Sequence, residues 1–134
     1  MNQVEIVLAY FDAINLHDPD KLAGLMTEDH VFIDSLGNLV GGREKMRAGW
    51  RGYFAMCPDY RVSHEDIFRD GDMVAAFGSA GGTISVQGEM RAENKWQTPA
   101  AWRVKVQEGL IREFRVYADN KPVYDILAKP GAAR

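Results

Sequence analysis

The chain has a single cysteine, Cys57, among 134 residues, which excludes an intramolecular disulfide framework and suits a reducing compartment. Cys57 stands at an apolar position just ahead of Pro58, with no cation beside it, so a small buried hydrophobe is expected rather than a reactive thiol. Long apolar runs are also missing. No stretch approaches the ~20 residues that cross a bilayer. The first ten residues, MNQVEIVLAY, open an amphipathic pattern instead of a basic or apolar leader, so a cytoplasmic protein without a membrane partner is expected. Nor does one charge dominate: 16 Lys plus Arg face 19 Asp plus Glu, and the basic residues are scattered, which argues against nucleic acid as a partner. The three histidines, His17, His30 and His64, lack metal-ligand spacing, and no P-loop or dinucleotide fingerprint calls for a cofactor. His17, between helices, and His30, at a strand entry, are expected to be surface or turn residues. His64 and Asp66, two apart on a strand, would form a solvated or dimer-face pair.

What is present reads as one domain over residues 3–128 with a loose tail, KPGAAR, at 129–134. Val4, Val7, Leu8, Phe11 and Ile14 fall at helical spacing and predict a first helix over residues 2–16. Asp18-Pro19 then makes a cap and first turn for a second helix burying Leu22, Leu25 and Met26. A third helix runs from Arg43, with Met46, Trp50, Tyr53, Phe54 and Cys57 on one side, and Pro58 ends it. HVFID and the LV of NLV form a small hairpin around SLGN. The second half changes to strands: YRVSHEDIFR, MVAAFGSAGGTISV, WQTPAAWRVKVQ and LIREFRVY. Asp70-Gly71-Asp72 and Glu108-Gly109 are tight turns between them and imply antiparallel pairing. DNKPVYDILA closes the chain as a short helix with Asp119 as its cap.

Helices first and long strands afterwards define an α+β fold with one sheet face under the helices. The other face mixes Arg103 and Lys105 with apolar residues, so a homodimer through the outer sheet face is expected. Gly78, Gly81 and Gly82 read as bends or bulges that curve the sheet around a hollow, since no helix follows them as a phosphate loop requires.

Within HVFIDSLG, side chains alternate, so Phe32 and Asp34 share one face and Val31 and Ile33 the other. If Phe32 faces the hollow, Asp34 does too, and a poorly hydrated carboxylate there is a stronger base than in water. The alternative is an Asx turn over Ser35-Leu36-Gly37 with the side chain in solvent. Tyr10 lies three and four residues from Val7 and Ile14, which turns its ring inward, either as a donor to a developing oxyanion or as an ordinary core tyrosine.

The Tyr-containing first helix, TEDHVFIDSLG, GGREKM and GLIREFRVYADNKPV together resemble the NTF2-like superfamily, in particular its SnoaL-like and ketosteroid isomerase-like members. The resemblance implies a cone: three N-terminal helices packed on a strongly curved mixed, mainly antiparallel sheet around a hydrophobic pocket. It also sets Tyr10 and Asp34 in the places of the isomerases' helix tyrosine and strand aspartate. Two departures count against steroid isomerisation. Near Ala100, where those enzymes hold a second, protonated acid, there is none, and Trp50 replaces a tyrosine of the third helix. The superfamily includes isomerases, cyclases, dehydratases, epoxide hydrolases and non-catalytic binders. An epoxide hydrolase network would have to come from Arg103, Arg115 and Asp119.

The reading is therefore a cofactor-free acid–base enzyme for a small carbonyl-containing or polycyclic apolar compound, with no metal. Asp34 is the base and Tyr10 the oxyanion donor. Phe32, Trp50, Phe54, Trp102 and Ile14 supply the apolar wall. Its rivals are a non-catalytic small-molecule binder and a dimerisation scaffold whose pocket is filled by its own side chains.

Overall fold

The computed structural model describes residues 1–130, and Gly131–Arg134 of the expected tail lie outside the described residues. Helix α1 (Gln3–Asn15) begins at a capping box: the Asn2 side chain accepts from the Glu5 amide, and Glu5 accepts from the Asn2 amide in return. Ile6, Val7, Tyr10, Phe11, Ala13 and Ile14 are its buried face. Helix α2 (Pro19–Gly24) is capped by Asp18, as expected, but it stops a turn early. Met26 belongs instead to strand β1 (Met26–Ile33), which starts four residues before the HVFID reading and takes in TEDH. Strand β2 (Leu39–Gly41) pairs back on β1, and Gly42, at φ +104, turns the chain into helix α3 (Arg43–Met56).

Four strands follow: β3 (Arg61–Asp70), β4 (Met73–Val86), β5 (Glu89–Gln107) and β6 (Leu110–Ala118). Helix α4 (Lys121–Leu127) ends the fold. Its first amide is bonded by the Asp119 carboxylate at 3.0 Å, so Asp119 serves the helix. The sheet order is β2-β1-β6-β5-β4-β3, with β1 parallel to β6 and every other pair antiparallel. This is the mixed, mainly antiparallel sheet expected under three N-terminal helices. Even-numbered residues of β5 from Asn94 to Val106 are buried under the helices, whereas the intervening odd-numbered ones stay half-buried or exposed.

The curvature has local causes. Between His64 and Asp66 the β3–β4 register slips by one residue, opposite Gly78. A Cβ on Gly78 would lie 1.9 Å from the Ser63 carbonyl oxygen, so only glycine admits that approach. At Gly82 the neighbour is the Cys57 sulfur, 2.4 Å from where a Cβ would stand. The strand glycines are thus close-approach positions at a bend, as the sequence indicates.

The slip also separates His64 from Asp66. Both stay exposed as expected, but not as a pair: His64 stacks on Phe11 of α1, ring centroids 5.9 Å apart. His30 departs further from expectation: it is fully buried in β1, with Nδ1 on the Ile111 carbonyl at 2.8 Å. β1 is an internal strand, paired on both sides by β2 and β6, and a short apolar run alone does not disclose that. His17, at φ +54, is half-buried; its Nε2 bonds the Tyr60 carbonyl at 2.7 Å and its ring stacks on Phe54.

Candidate functional site

Curving the sheet around α1 and α3 leaves a cavity of about 290 Å³ between the layers. Its walls are predominantly apolar, with Phe32, Trp50, Trp96, Trp102 and Phe114 supplying most of the aromatic surface. Ile14 and Phe114 are fully buried and form its innermost part. Of the residues expected at the wall, Phe32, Trp50, Trp102 and Ile14 are therefore there. Phe54 is not: it packs behind Trp50, sandwiched between that indole at 5.4 Å and His17 at 4.6 Å. Helical spacing puts Trp50 and Phe54 on one face, but four residues advance the helix more than a full turn, and of the two only Trp50 reaches the hollow.

Asp34 lies just past the end of β1 and lines the cavity together with Phe32, as strand alternation requires. The turn reading is realised at the same time. Asp34 Oδ1 accepts the amides of Leu36 at 2.9 Å and Asn38 at 2.8 Å, and the Asp34 amide donates to the Asn38 carbonyl. The two alternatives posed by HVFIDSLG coexist, since the turn holds one carboxylate oxygen and leaves the half-buried side chain at the cavity rim. Beside it, Asn120 donates from Nδ2 to Ser35 Oγ at 2.9 Å, and both residues line the cavity. The ends of β1 and β6 are adjacent parallel strands, which is why Asp34, Ser35 and Asn120 meet.

Tyr10 is elsewhere. It is fully buried and is not among the cavity-lining residues. Its hydroxyl accepts the Trp50 Nε1–H at 3.0 Å, and its ring packs on Phe114 at 4.8 Å. Burial drives the Tyr10 phenol well above its ordinary pKa, with the Trp50 bond a smaller opposing effect. Trp50 stands between Tyr10 and the hollow, so the expected oxyanion donor is a core group supporting the wall.

The sequence reading missed the aromatic pair Tyr53 and Tyr60, which line the cavity with ring centroids 4.8 Å apart in a T-shaped contact. Tyr53 had been placed on the apolar face of α3. Tyr60 precedes β3 in a stretch read only as strand, and its contacts depend on tertiary folding. Burial raises both phenols well above their ordinary pKa, and each therefore remains a neutral donor.

The other candidates lie outside the cavity. Arg103 pairs with Glu113 at 3.1 Å, Arg115 lies over the Tyr117 ring at 5.0 Å, and Asp119 bonds the start of α4. None of the three lines the cavity, which counts against the epoxide hydrolase arrangement there. Cys57 is fully buried, and its thiol is pushed up to about 12, chiefly by burial and by the nearby Asp59 charge. Among the described residues no cluster of three metal-ligating side chains is found, and no helix is long and apolar enough to cross a membrane.

The fold has counterparts among solved structures. A candidate SnoaL-like polyketide cyclase from Jannaschia sp. CCS1 superposes with a TM-score of 0.81 at 25% identity, over 96% of this chain and 93% of that one. IdmH, a candidate polyketide cyclase from Streptomyces antibioticus, gives 0.77 at 23% identity, over 93% and 97%. A hypothetical protein with a ketosteroid isomerase-like fold from Catenulispora acidiphila, in complex with trimethylamine, gives 0.73 at 24% identity, over 84% of each chain. No curated protein matches the chain in sequence. The family model for the SnoaL-like domain matches residues 7–114, most of the chain and both layers around the cavity. The chain belongs to the SnoaL-like domain family, with the NTF2-like, ketosteroid isomerase-like fold.

Proposed function

We propose that the protein is a cofactor-free acid–base enzyme that moves a proton on a compact, ring-bearing carbonyl compound. The observation that carries this reading is the placement of Asp34, a carboxylate with one oxygen held by two amides at the rim of an aromatic cavity. Asp34 takes a proton from the carbon next to the carbonyl, leaving an enolate and a carboxylic acid. It then returns the proton to another carbon of the conjugated system, or the enolate carbon attacks a second carbonyl and closes a ring, and the alkoxide so formed takes the proton back from Asp34. The solved relatives named as candidate polyketide cyclases are compatible with either outcome. An engineered cavity of about 150 Å³ takes one benzene ring, so the present volume suits roughly two fused rings rather than a steroid.

The test is proton exchange. Wild-type protein in D2O should speed deuterium uptake at the α-carbon of 1-tetralone, and Asp34→Asn should abolish the acceleration while the ketone still binds. A second reading, a non-catalytic binder, draws on the sealed position of Tyr10, which removes the oxyanion donor from its expected place. It requires equal ketone binding by both proteins and exchange in neither.

We further propose a homodimer through the outer sheet face, where the registered row Phe77, Ala101 and Tyr117 crosses β4, β5 and β6 with both aromatic rings 47% exposed. Cytoplasmic residence is the placement that a lone free thiol favours.

A further inference from the structure

Hydrogen-bond donors in the cavity are few, and most are committed. Trp50 Nε1–H is given to Tyr10, and Asn120 Nδ2 is given to Ser35. The Trp96 Nε1–H is sealed from solvent within the packed layer. Tyr53 and Tyr60 differ. Both line the cavity, neither hydroxyl has a hydrogen-bond partner among the described residues, and neither is sealed off as the Trp96 nitrogen is. Their accessible hydroxyls are taken by no protein group and are open to an acceptor that enters the cavity. Two such phenols in edge-to-face contact at one wall can offer their donors to the same ligand.

The two phenols enter the cavity by a different route from Asp34. Tyr53 comes from the last turn of α3 and Tyr60 from the residue before β3, whereas Asp34, Ser35 and Asn120 come from the ends of β1 and β6. Strands β6, β5 and β4 separate β1 from β3 in the sheet. Aromatic surface lies between: Trp50 meets Tyr53 edge-on at 6.3 Å and Phe32 edge-on at 6.5 Å. The cavity is therefore lined by two polar groups with a flat apolar wall joining them.

We infer that Tyr53 and Tyr60 form a second polar pole that donates hydrogen bonds to an oxygen of the substrate, selecting planar aromatic compounds that carry an acceptor oxygen on the ring system. The inference rests on the cavity being a ligand site, as proposed above, and adds its selectivity. Because burial keeps both phenols neutral, they discriminate by donation: a carbonyl or ether oxygen is accepted, and a hydrocarbon of the same shape leaves two donors unpaired. Tyr53 and Tyr60 are specificity-determining residues under this assignment, and the proton transfer stays with Asp34.

The experiment compares 1-tetralone with tetralin, which has the same fused rings without the oxygen, by calorimetry or by quenching of tryptophan fluorescence. Wild-type protein should prefer the ketone by roughly tenfold, the scale of one or two net hydrogen bonds. Tyr53→Phe and Tyr60→Phe should each cut ketone affinity about threefold, and the double variant should bind ketone and hydrocarbon equally. Retained tetralin binding shows that the variants are folded, because phenylalanine keeps the ring. Asp34→Asn should leave the preference unchanged, so failure of the acid–base reading appears as exchange that is absent or insensitive to Asp34, independently of these affinities. A wild-type protein with no preference for the ketone, or a preference that survives the double substitution, overturns the assignment.

Discussion

Trp50 donates its indole N–H to the hydroxyl of Tyr10 across 3.0 Å, joining the middle of α3 to the middle of α1 behind the cavity wall. The bond consumes the one polar atom of Trp50 and turns its flat face to the hollow. Tyr10→Phe strands that buried N–H. The variant should lose about 1–3 kcal/mol of stability in urea unfolding, the cost of an unsatisfied buried donor. Its ketone affinity should stay within about threefold of wild type, since no direct ligand contact is lost. A hundredfold loss of exchange at unchanged stability would return Tyr10 to the chemistry.

Asp34 combines a structural and a chemical task that two substitutions separate. Asn keeps an oxygen for the amides of Leu36 and Asn38 but cannot act as a base. Asp34→Asn should cost less than ~1 kcal/mol of stability while reducing deuterium exchange by about 100-fold or more, the usual contribution of a positioned base. Asp34→Ala removes both functions and should lower stability further.

Buried His30 gives the fold a pH dependence. Burial holds its folded pKa below the ordinary 6.5, outweighing the Ile111 carbonyl bond and the Asp29 charge, which act the other way. As pH drops through 6.5 the unfolded chain takes up a proton that the folded protein resists. Stability is therefore complete above 6.5 and falls below it until the lowered folded value is reached, by at most ~1.4 kcal/mol per pH unit. Urea midpoints between pH 5 and 7 should show this slope, and His30→Gln should flatten it. An unchanged slope in that variant would exclude His30 as the source.

Cys57 reports the integrity of the bend. Its thiol, pushed up to about 12 and fully buried, should resist iodoacetamide until the protein unfolds. Gly82→Ala, whose added carbon would meet the Cys57 sulfur, should destabilise by about 1–3 kcal/mol and open the thiol to labelling. Rapid labelling of the native wild-type protein would contradict this packing.

The outer-face dimer is tested by charge. Replacing Phe77 and Tyr117 by Glu places like charges along the Phe77–Ala101–Tyr117 row, two on each copy. Sedimentation should show a dimer for wild type and a monomer for the double variant, with cavity binding intact. A wild-type monomer at tens of micromolar would remove the proposal.

The layered plan was readable because it rests on periodicity. Apolar spacing of 3.6 gave α1 and α3, alternation gave β3 to β6, and Asp18-Pro19, Gly71 and Gly109 marked the junctions. Alternation also placed Phe32 and Asp34 on one face, which the folded chain turns toward the cavity. His30 was misread for the same reason: alternation describes a strand's two faces and does not reveal how much of the fold lies over each.

From the order of its residues alone this chain determines an α+β fold with Asp34 on the same strand face as Phe32, since local backbone geometry settles helix, strand and turn. Which aromatic groups touch the hollow was decided by the tertiary structure. Tyr10 and Phe54 lie behind Trp50, and Tyr53 and Tyr60 meet across a gap in the chain, because helix rotation and sheet curvature choose one side chain over its neighbour. Those are properties of packing between elements, and no spacing within one element records them.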